Sequence, residues 1–176
     1  MPGDVLDGAV RRRTRALVGL TPDRGRMMNG QWQQIRGLRI KIVDPDGDYL
    51  GLDIQAANSR CAGSARIYAG LQQLTEFANQ IRGFPASVQD ERAYEFGSRD
   101  RSLAGGYCKL HLRCVDHTGH PVVEIMIEDD ERLYLAGRAE LSIKVEAAGV
   151  DRFVEMLFEI ERDKSGEALL PATGAD

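Results

Sequence analysis

Apolar and polar side chains alternate regularly over residues 105–146. The alternate apolar side chains at the start of this segment are Cys108, Leu110, Leu112 and Cys114. The polar side chains between them are Lys109, His111 and Arg113. A period of two is typical of a β-strand that buries one face and leaves the other in solvent. We therefore predict a meander of three antiparallel strands over residues 107–115, 121–128 and 133–145, joined by short polar turns.

The same alternation predicts four further strands earlier in the chain. Two of them, over residues 38–43 and 49–54, flank the turn-forming sequence Asp-Pro-Asp-Gly and are expected to form a hairpin. The other two are shorter and cover residues 65–68 and 92–96.

Two other segments have apolar residues spaced by three and four positions, which is typical of amphipathic helices. The apolar residues of the first are Leu71, Leu74, Phe77, Ala78 and Ile81, and those of the second are Val150, Phe153, Val154, Leu157 and Ile160. The order β-β-β-α-β-β-β-β-α predicts an α+β fold, in which an antiparallel sheet of about seven strands carries both helices on one face. A β-sandwich with the helices at its edge is the alternative architecture.

Charge is distributed unevenly along the chain. Residues 1–36 carry seven Arg and three Asp, so the net charge of -4 for the 176 residues leaves -8 on the remainder. We predict a disordered basic N-terminal extension over residues 1–34, a single α+β domain over residues 35–163 and a flexible C-terminal tail over residues 164–176. The acidic domain disfavours nucleic acid as a partner, because nucleic-acid affinity depends on Lys and Arg that neutralise phosphates.

Composition predicts a soluble, cytoplasmic protein. With 43% hydrophobic residues the chain is long enough for one globular core. It contains no apolar run near the roughly 20 residues that span a bilayer. Its three cysteines, Cys61, Cys108 and Cys114, are predicted to be reduced thiols, and the last two are expected about 20 Å apart on one strand.

The sequence motifs predict no catalytic residue and no cofactor. The chain lacks the glycine-rich sequences that bind phosphates and the Gly-X-Ser-X-Gly turn of serine hydrolases. Residues 44–48 place carboxylates at alternate positions, as a calcium loop does. The early Gly47 and the missing Glu at the twelfth position favour a plain hairpin turn.

Three histidines leave one metal-site alternative open. His117 and His120 lie in a turn beside Asp116, and His111 lies on the preceding predicted strand. Zinc needs three or four convergent ligands, and the sequence offers no clear fourth, so we assign no metal site and favour polar turn residues. A small metal-dependent enzyme or ligand binder that uses these residues and Glu124 is the alternative to a binding protein.

The polar face of the meander is the predicted interaction surface. Neighbouring antiparallel strands bring His111 opposite Glu124, where we expect a cross-strand ion pair. The predicted partner-binding residues are Lys109, His111, Arg113, Glu124, Asp129 and Asp130. Together with the acidic domain, they predict a non-enzymatic module that binds another protein, with a basic partner favoured by charge. A homo-oligomer that uses the same face is the alternative.

Four short segments resemble a family of small bacterial α+β domains of unknown function. These segments are LDI at 52–54, CAGSARIY at 61–68, IRGFP at 81–85 and VVEI at 122–125, and the resemblance covers about residues 36–162. The motifs are structural in type, so the resemblance implies no catalytic residue. Such domains are similar in general build to immunity proteins, which cover the active site of a toxin, and this similarity implies an inhibitor of a basic toxin.

Overall fold

The computed structural model describes residues 35–100, 105–117, 119–129 and 137–174. Our predictions for residues 1–34, for Asp130 and for residues 133–136 lie outside this part of the chain. The strands are β1 (Gly37–Asp46), β2 (Tyr49–Ala57), β3 (Ala62–Gly70), β4 (Glu91–Gly97), β5 (Tyr107–Cys114), β6 (Pro121–Asp129), β7 (Gly137–Lys144) and β8 (Gly166–Pro171). The helices are α1 (Gln73–Ile81) and α2 (Ala147–Asp163).

The described strands form two antiparallel sheets of four. The first sheet has the strand order β3-β2-β1-β8, and the second has the order β4-β5-β6-β7. The predicted α+β class with mainly antiparallel strands is confirmed. The single sheet that we predicted is instead two sheets. Along the chain, α1 lies between β3 of the first sheet and β4 of the second. Alternation indicates which face of a strand is buried, but it does not indicate which strand lies beside it.

The last strand lies in a segment that we predicted to be a flexible tail. β8 pairs with β1, so that Leu170 lies opposite Leu38 and Ala168 lies opposite Ile40. Ala168 and Leu170 are both buried. The prediction of a flexible tail is therefore wrong for residues 166–171. Only two inward apolar residues mark this short strand, which is too little alternation to distinguish it from a tail.

Both sheets and both helices contribute to one hydrophobic core. Every residue of the two predicted helical stripes is buried except Leu71, which precedes the start of α1. The Phe77 ring of α1 lies 5.2 Å from the Phe96 ring of β4 and 6.3 Å from the Phe153 ring of α2, both in edge-to-face geometry. The Phe77 ring therefore connects its own helix, α1, to the second sheet and to α2.

The two sheets also contact each other directly, next to β3. Asn58 Nδ2 donates a 3.1 Å hydrogen bond to the backbone oxygen of Ser142 on β7. A Cβ atom built on Gly63 of β3 would lie 2.5 Å from the Cβ of Ala139 on β7. Glycine is required at this position because the backbone of one sheet approaches a side chain of the other too closely for a methyl group.

Gly63→Ala should lower the free energy of unfolding by about 1–3 kcal/mol, because the added methyl group overlaps Ala139. Gly70→Ala on the same strand is the matched control, since a Cβ built on Gly70 meets nothing within 4 Å. Urea unfolding measures both free energies. The close approach is contradicted if the two variants unfold at the same urea concentration. Adding Ala139→Gly to the Gly63→Ala variant should recover part of the lost free energy of unfolding.

A carboxylate from α2 caps the start of α1. The backbone N–H groups of Leu74 and Thr75 donate hydrogen bonds of 3.1 and 2.8 Å to the two carboxylate oxygens of Glu161. The N-cap residue Gln72 makes no side-chain capping hydrogen bond. Glu161 therefore supplies the acceptor that a local Ser or Asp usually supplies, and its negative charge faces the positive end of the helix dipole.

Glu161→Ala should lower the free energy of unfolding by about 1–2 kcal/mol, because two backbone donors lose their acceptor. Glu161→Gln should lose less, since its amide oxygen still accepts one hydrogen bond. Glu155→Ala, at an exposed position of the same helix, should change stability by less than about 0.5 kcal/mol. Denaturant unfolding at neutral pH compares the three, and an equal loss for Glu155→Ala and Glu161→Ala argues against the cap.

Candidate protein-binding face

The second sheet has one face in the core and one face directed to solvent. Its inward side chains include Phe96, Leu110 and Ile125, which are all buried. We call the opposite surface the outer face. Its side chains are Glu91, Ala93 and Glu95 of β4, Tyr107, Lys109, His111 and Arg113 of β5, Val122, Glu124, Met126 and Glu128 of β6, and Arg138, Glu140, Ser142 and Lys144 of β7.

Charge on the outer face follows the strands. Both β4 and β6 present carboxylates, and the strand between them presents Lys109, His111 and Arg113. Carboxylates and nitrogen-bearing side chains are therefore cross-strand neighbours on both sides of β5. The structure brings four of the six predicted residues together here, and it places His111 opposite Glu124 as predicted.

Glu124 is hydrogen-bonded to two side chains of β5. Its Oε1 accepts from Arg113 Nε at 2.8 Å and from Arg113 Nη2 at 2.6 Å, and its Oε2 lies 3.0 Å from His111 Nδ1. The Arg113 guanidinium, and then His111, hold the pKa of the Glu124 carboxyl below its usual value of 4.5. Glu124 is therefore an ionised carboxylate whose orientation is set by β5.

Two carboxylates of β4 approach β5 from its other side. Glu95 Oε1 lies 3.4 Å from Lys109 Nζ, and Glu91 Oε2 lies 3.7 Å from His111 Nε2. Neither carboxylate is among the predicted partner-binding residues, because the length of the loop between β4 and β5 does not reveal which residues lie opposite each other. Each pair is partly exposed, so it orients side chains more than it stabilises the fold.

A second cluster lies at the far end of the outer face and was also missed. Glu128 Oε1 lies 3.3 Å from Arg99 Nη2 and 3.5 Å from Arg138 Nη1. The Arg99 guanidinium lies over the Tyr107 ring, 4.6 Å from its centroid. This cation–π contact covers Tyr107, which is buried although it belongs to the outer face.

The outer face contains an open depression of about 370 Å³ across β5, β6 and β7. Its volume lies near the lower end of the range of about 300–1,000 Å³ that is typical of small-molecule sites. The polar and flexible side chains that line it are Lys109, His111, Glu124, Met126, Glu140 and Ser142. Its chemistry is thus a mixture of carboxylates, one ammonium, an imidazole, a hydroxyl and a thioether.

The remaining two predicted residues do not share this surface. Asp129 follows Ile127 on the inward side of β6 and lines a smaller depression of about 180 Å³, together with Gly63 and Arg138. Asp130 lies outside the described residues. Because a strand changes sides at every residue, Glu128 and not Asp129 belongs to the outer face.

The three histidines do not converge. His120 Nδ1 lies 2.6 Å from Asp116 Oδ2 within the turn before β6, and His117 is exposed in the same turn. His120 precedes Glu124, the partner of His111, by four residues, which is about 13 Å along a strand. Within the described ranges, no group of three or more His, Cys, Asp or Glu residues is arranged to hold a metal ion.

The cysteines are free thiols, as predicted. Cys108 is buried in the core, and burial raises the pKa of its thiol to about 12. Cys114 is partly buried at the end of β5, and burial also raises the pKa of this thiol. A raised pKa keeps a thiol protonated and a poor nucleophile.

Arg113→Gln should raise the pKa of Glu124 towards 4.5, because the guanidinium is the larger of the two causes that lower it. His111→Asn should raise the same pKa by a smaller amount. An NMR titration of the Glu124 side-chain carboxyl carbon measures both shifts. A larger effect of His111→Asn than of Arg113→Gln would show that the hydrogen bonds are assigned to the wrong partner.

The same pKa sets a pH window for stability. Because the pKa of Glu124 is lower in the folded chain, its contribution to stability is present above about pH 4.5 and is lost as pH falls through the folded pKa. Glu124→Gln should therefore make the acid-induced decline of stability shallower below that pH, in urea unfolding measured at several pH values.

No family model, curated protein or solved structure matches this chain. The resemblance to a family of small bacterial α+β domains therefore stays a prediction. Among the described residues, neither helix has the length and apolar character needed to cross a membrane.

Proposed function

We propose that the protein is a non-enzymatic module that binds another protein through the outer face of the second sheet. The observation that carries this proposal is the depression of about 370 Å³ in the middle of that face. Protein interfaces commonly centre on one side chain that enters such a pocket, surrounded by polar contacts.

The order of the surrounding side chains supports this use. Contacts with neighbouring strands orient Lys109, His111, Arg113 and Glu124 before any partner arrives. A surface ordered in advance loses less side-chain entropy when it binds, so more of the contact energy appears as affinity.

Net charge supports a basic partner. Residues 37–176 carry a net charge of -8, and net negative charge accelerates encounter with a cationic protein. An inhibitor that covers a basic toxin, as immunity proteins do, needs a binding surface and negative charge but no catalytic residue. Within our proposal, this is the most specific form of the function.

Photo-crosslinking tests where a partner binds. Ala93 lies opposite His111 on the outer face, and Lys144 follows Ser142 on the same side of β7. Benzoylphenylalanine introduced in place of either residue should crosslink one protein in the cells that produce this chain. The same group in place of Leu169, which is 39% exposed on the first sheet, is the matched control and should not crosslink it. Mass spectrometry identifies the product.

Two further observations complete the crosslinking test. The yield at Ala93 should fall when salt is added, because ions screen the attraction between exposed charges. It should also fall in a Glu95→Gln, Glu140→Gln double variant that keeps the same fold, because the outer face then loses two of the negative charges that attract a basic partner. Equal crosslinking from Leu169 and Ala93, or none from Ala93 and Lys144, means that the outer face is not the binding surface.

A further inference from the structure

We infer that the chain forms a two-fold symmetric dimer in which β8 pairs, as an antiparallel strand, with β8 of a second copy. The four-stranded first sheets of the two copies then form one continuous sheet across the symmetry axis. This inference concerns the first sheet, so it does not depend on the outer face or on a partner that binds there.

A hydrogen bond at the end of β8 indicates which of its backbone groups point away from β1. The N–H group of Ala172 donates a 3.0 Å hydrogen bond to the backbone oxygen of Arg36. Bonded and non-bonded pairs alternate along antiparallel strands, so the two buried residues of β8 also bond to β1. The N–H and C=O groups of Glu167 and Leu169 and the C=O group of Pro171 therefore point away from β1. We call these groups the β8 edge.

The other three sheet edges each accept a hydrogen bond from a neighbouring segment. The donors and their backbone acceptors are Gln80 to Ala93 on β4, Gly106 to Arg66 on β3, and Asn58 to Ser142 and Thr173 to Lys144 on β7. Within the described part of the chain, no such hydrogen bond reaches the β8 edge. An uncapped edge is a template for another strand, and proteins usually protect such edges.

The side chains of the β8 edge do not protect it either. Leu169, in the middle of the edge, is apolar and 39% exposed. The carboxylate of Glu167 lies 3.5 Å from Arg39 Nη1 on its own sheet. Pro171 lies at the last position of the strand, where its missing N–H group leaves the middle of the edge open.

Symmetry and charge together select the register of the pairing. Hydrogen-bonded pairs must join residues of the β8 edge, and a two-fold axis next to Ala168 or next to Leu169 uses these groups most fully. An axis next to Ala168 makes the two Glu167 residues diagonal neighbours on one face, about 7–8 Å apart. An axis next to Leu169 separates them by about 13 Å along the strands. It also brings the two exposed Leu169 side chains together, so we assign this second register.

The small contact makes the dimer weak and reversible. β8 has six residues, whereas a stable interface uses about 20–30 residues on each side. Light scattering at increasing protein concentration, up to millimolar, measures the association. The molar mass should rise from that of one chain towards that of two.

Leu169→Lys should remove this rise in molar mass, because two ammonium groups then lie opposite each other at the axis. Leu71→Lys is the matched control and should keep the rise. Leu71 is similarly exposed, at 42%, but it follows β3, at the opposite edge of the first sheet. Circular dichroism checks that both variants remain folded.

Amide hydrogen exchange tests whether the β8 edge is the contact. Exchange at Glu167 and Leu169 should slow as the protein concentration rises, because their N–H groups become hydrogen-bonded only in the dimer. The amides of Ala168 and Leu170, which bond to β1, should be protected at every concentration. In the Leu169→Lys variant, exchange at Glu167 should stay fast.

Cysteine pairing tests the register. In the assigned register the two Leu169 Cα atoms lie about 5.5 Å apart, within the range of about 4.4–6.8 Å that a disulfide requires. Mild oxidation should therefore join two copies of the Leu169→Cys variant much faster than two copies of Glu167→Cys. Peptide mapping identifies the bond, because the chain also has thiols at Cys61, Cys108 and Cys114.

Each result supports the dimer or overturns it. The mass of a single chain at every concentration overturns it, and so does a rise in mass that survives Leu169→Lys. Fast exchange at Glu167 and Leu169 in a dimer overturns the edge pairing, and equal oxidation rates at positions 167 and 169 overturn the register. The proposed function is tested separately, since a crosslink from Leu169 to a second copy of this chain differs in mass from a crosslink to another protein.

Discussion

Both sheets and both helices bury their apolar side chains in one shared core, and this burial decides which surfaces of the protein remain open. Apolar side chains from both sheets and both helices meet in a single core, with Phe77 in contact with β4 and α2. Burial of apolar area is the main favourable term in folding, at about 25 cal/mol per Å². Since the apolar side of the second sheet faces this core, the opposite side carries the polar residues of its strands.

The outer face is therefore held in place from beneath. Leu110 and Leu112 are anchored in the core, and this anchoring directs His111 and Arg113 to solvent on the same strand. A shift of one residue in register would exchange the two sets, which the core does not permit. The ion pairs on the surface then orient side chains that the core has already positioned, since exposed pairs contribute little stability.

Much of this arrangement could be predicted from the sequence, because local periodicity reports directly on burial. The two helices, β5 and β6, and the pairing of His111 with Glu124 follow from spacing alone. The division into two sheets could not be predicted, because strand neighbours depend on contacts between distant segments. The contacts of the β4 carboxylates depend on the register between β4 and β5, which the sequence does not reveal. The face on which Asp129 lies depends on where β6 begins and ends, because a difference of one residue moves a side chain to the other face.

The position of β8 beside β1 affects the order in which the chain can complete its fold during synthesis. Leu38 and Leu170 pair across these strands although 132 residues separate them in the chain. At translation rates of about 5–20 residues per second, β1 waits several seconds or longer for this neighbour. Throughout that interval one edge of β1 has no strand beside it, and an unpaired edge is a template for association between chains. The stability of the first sheet therefore depends on a segment that is synthesised well after the other three strands of that sheet.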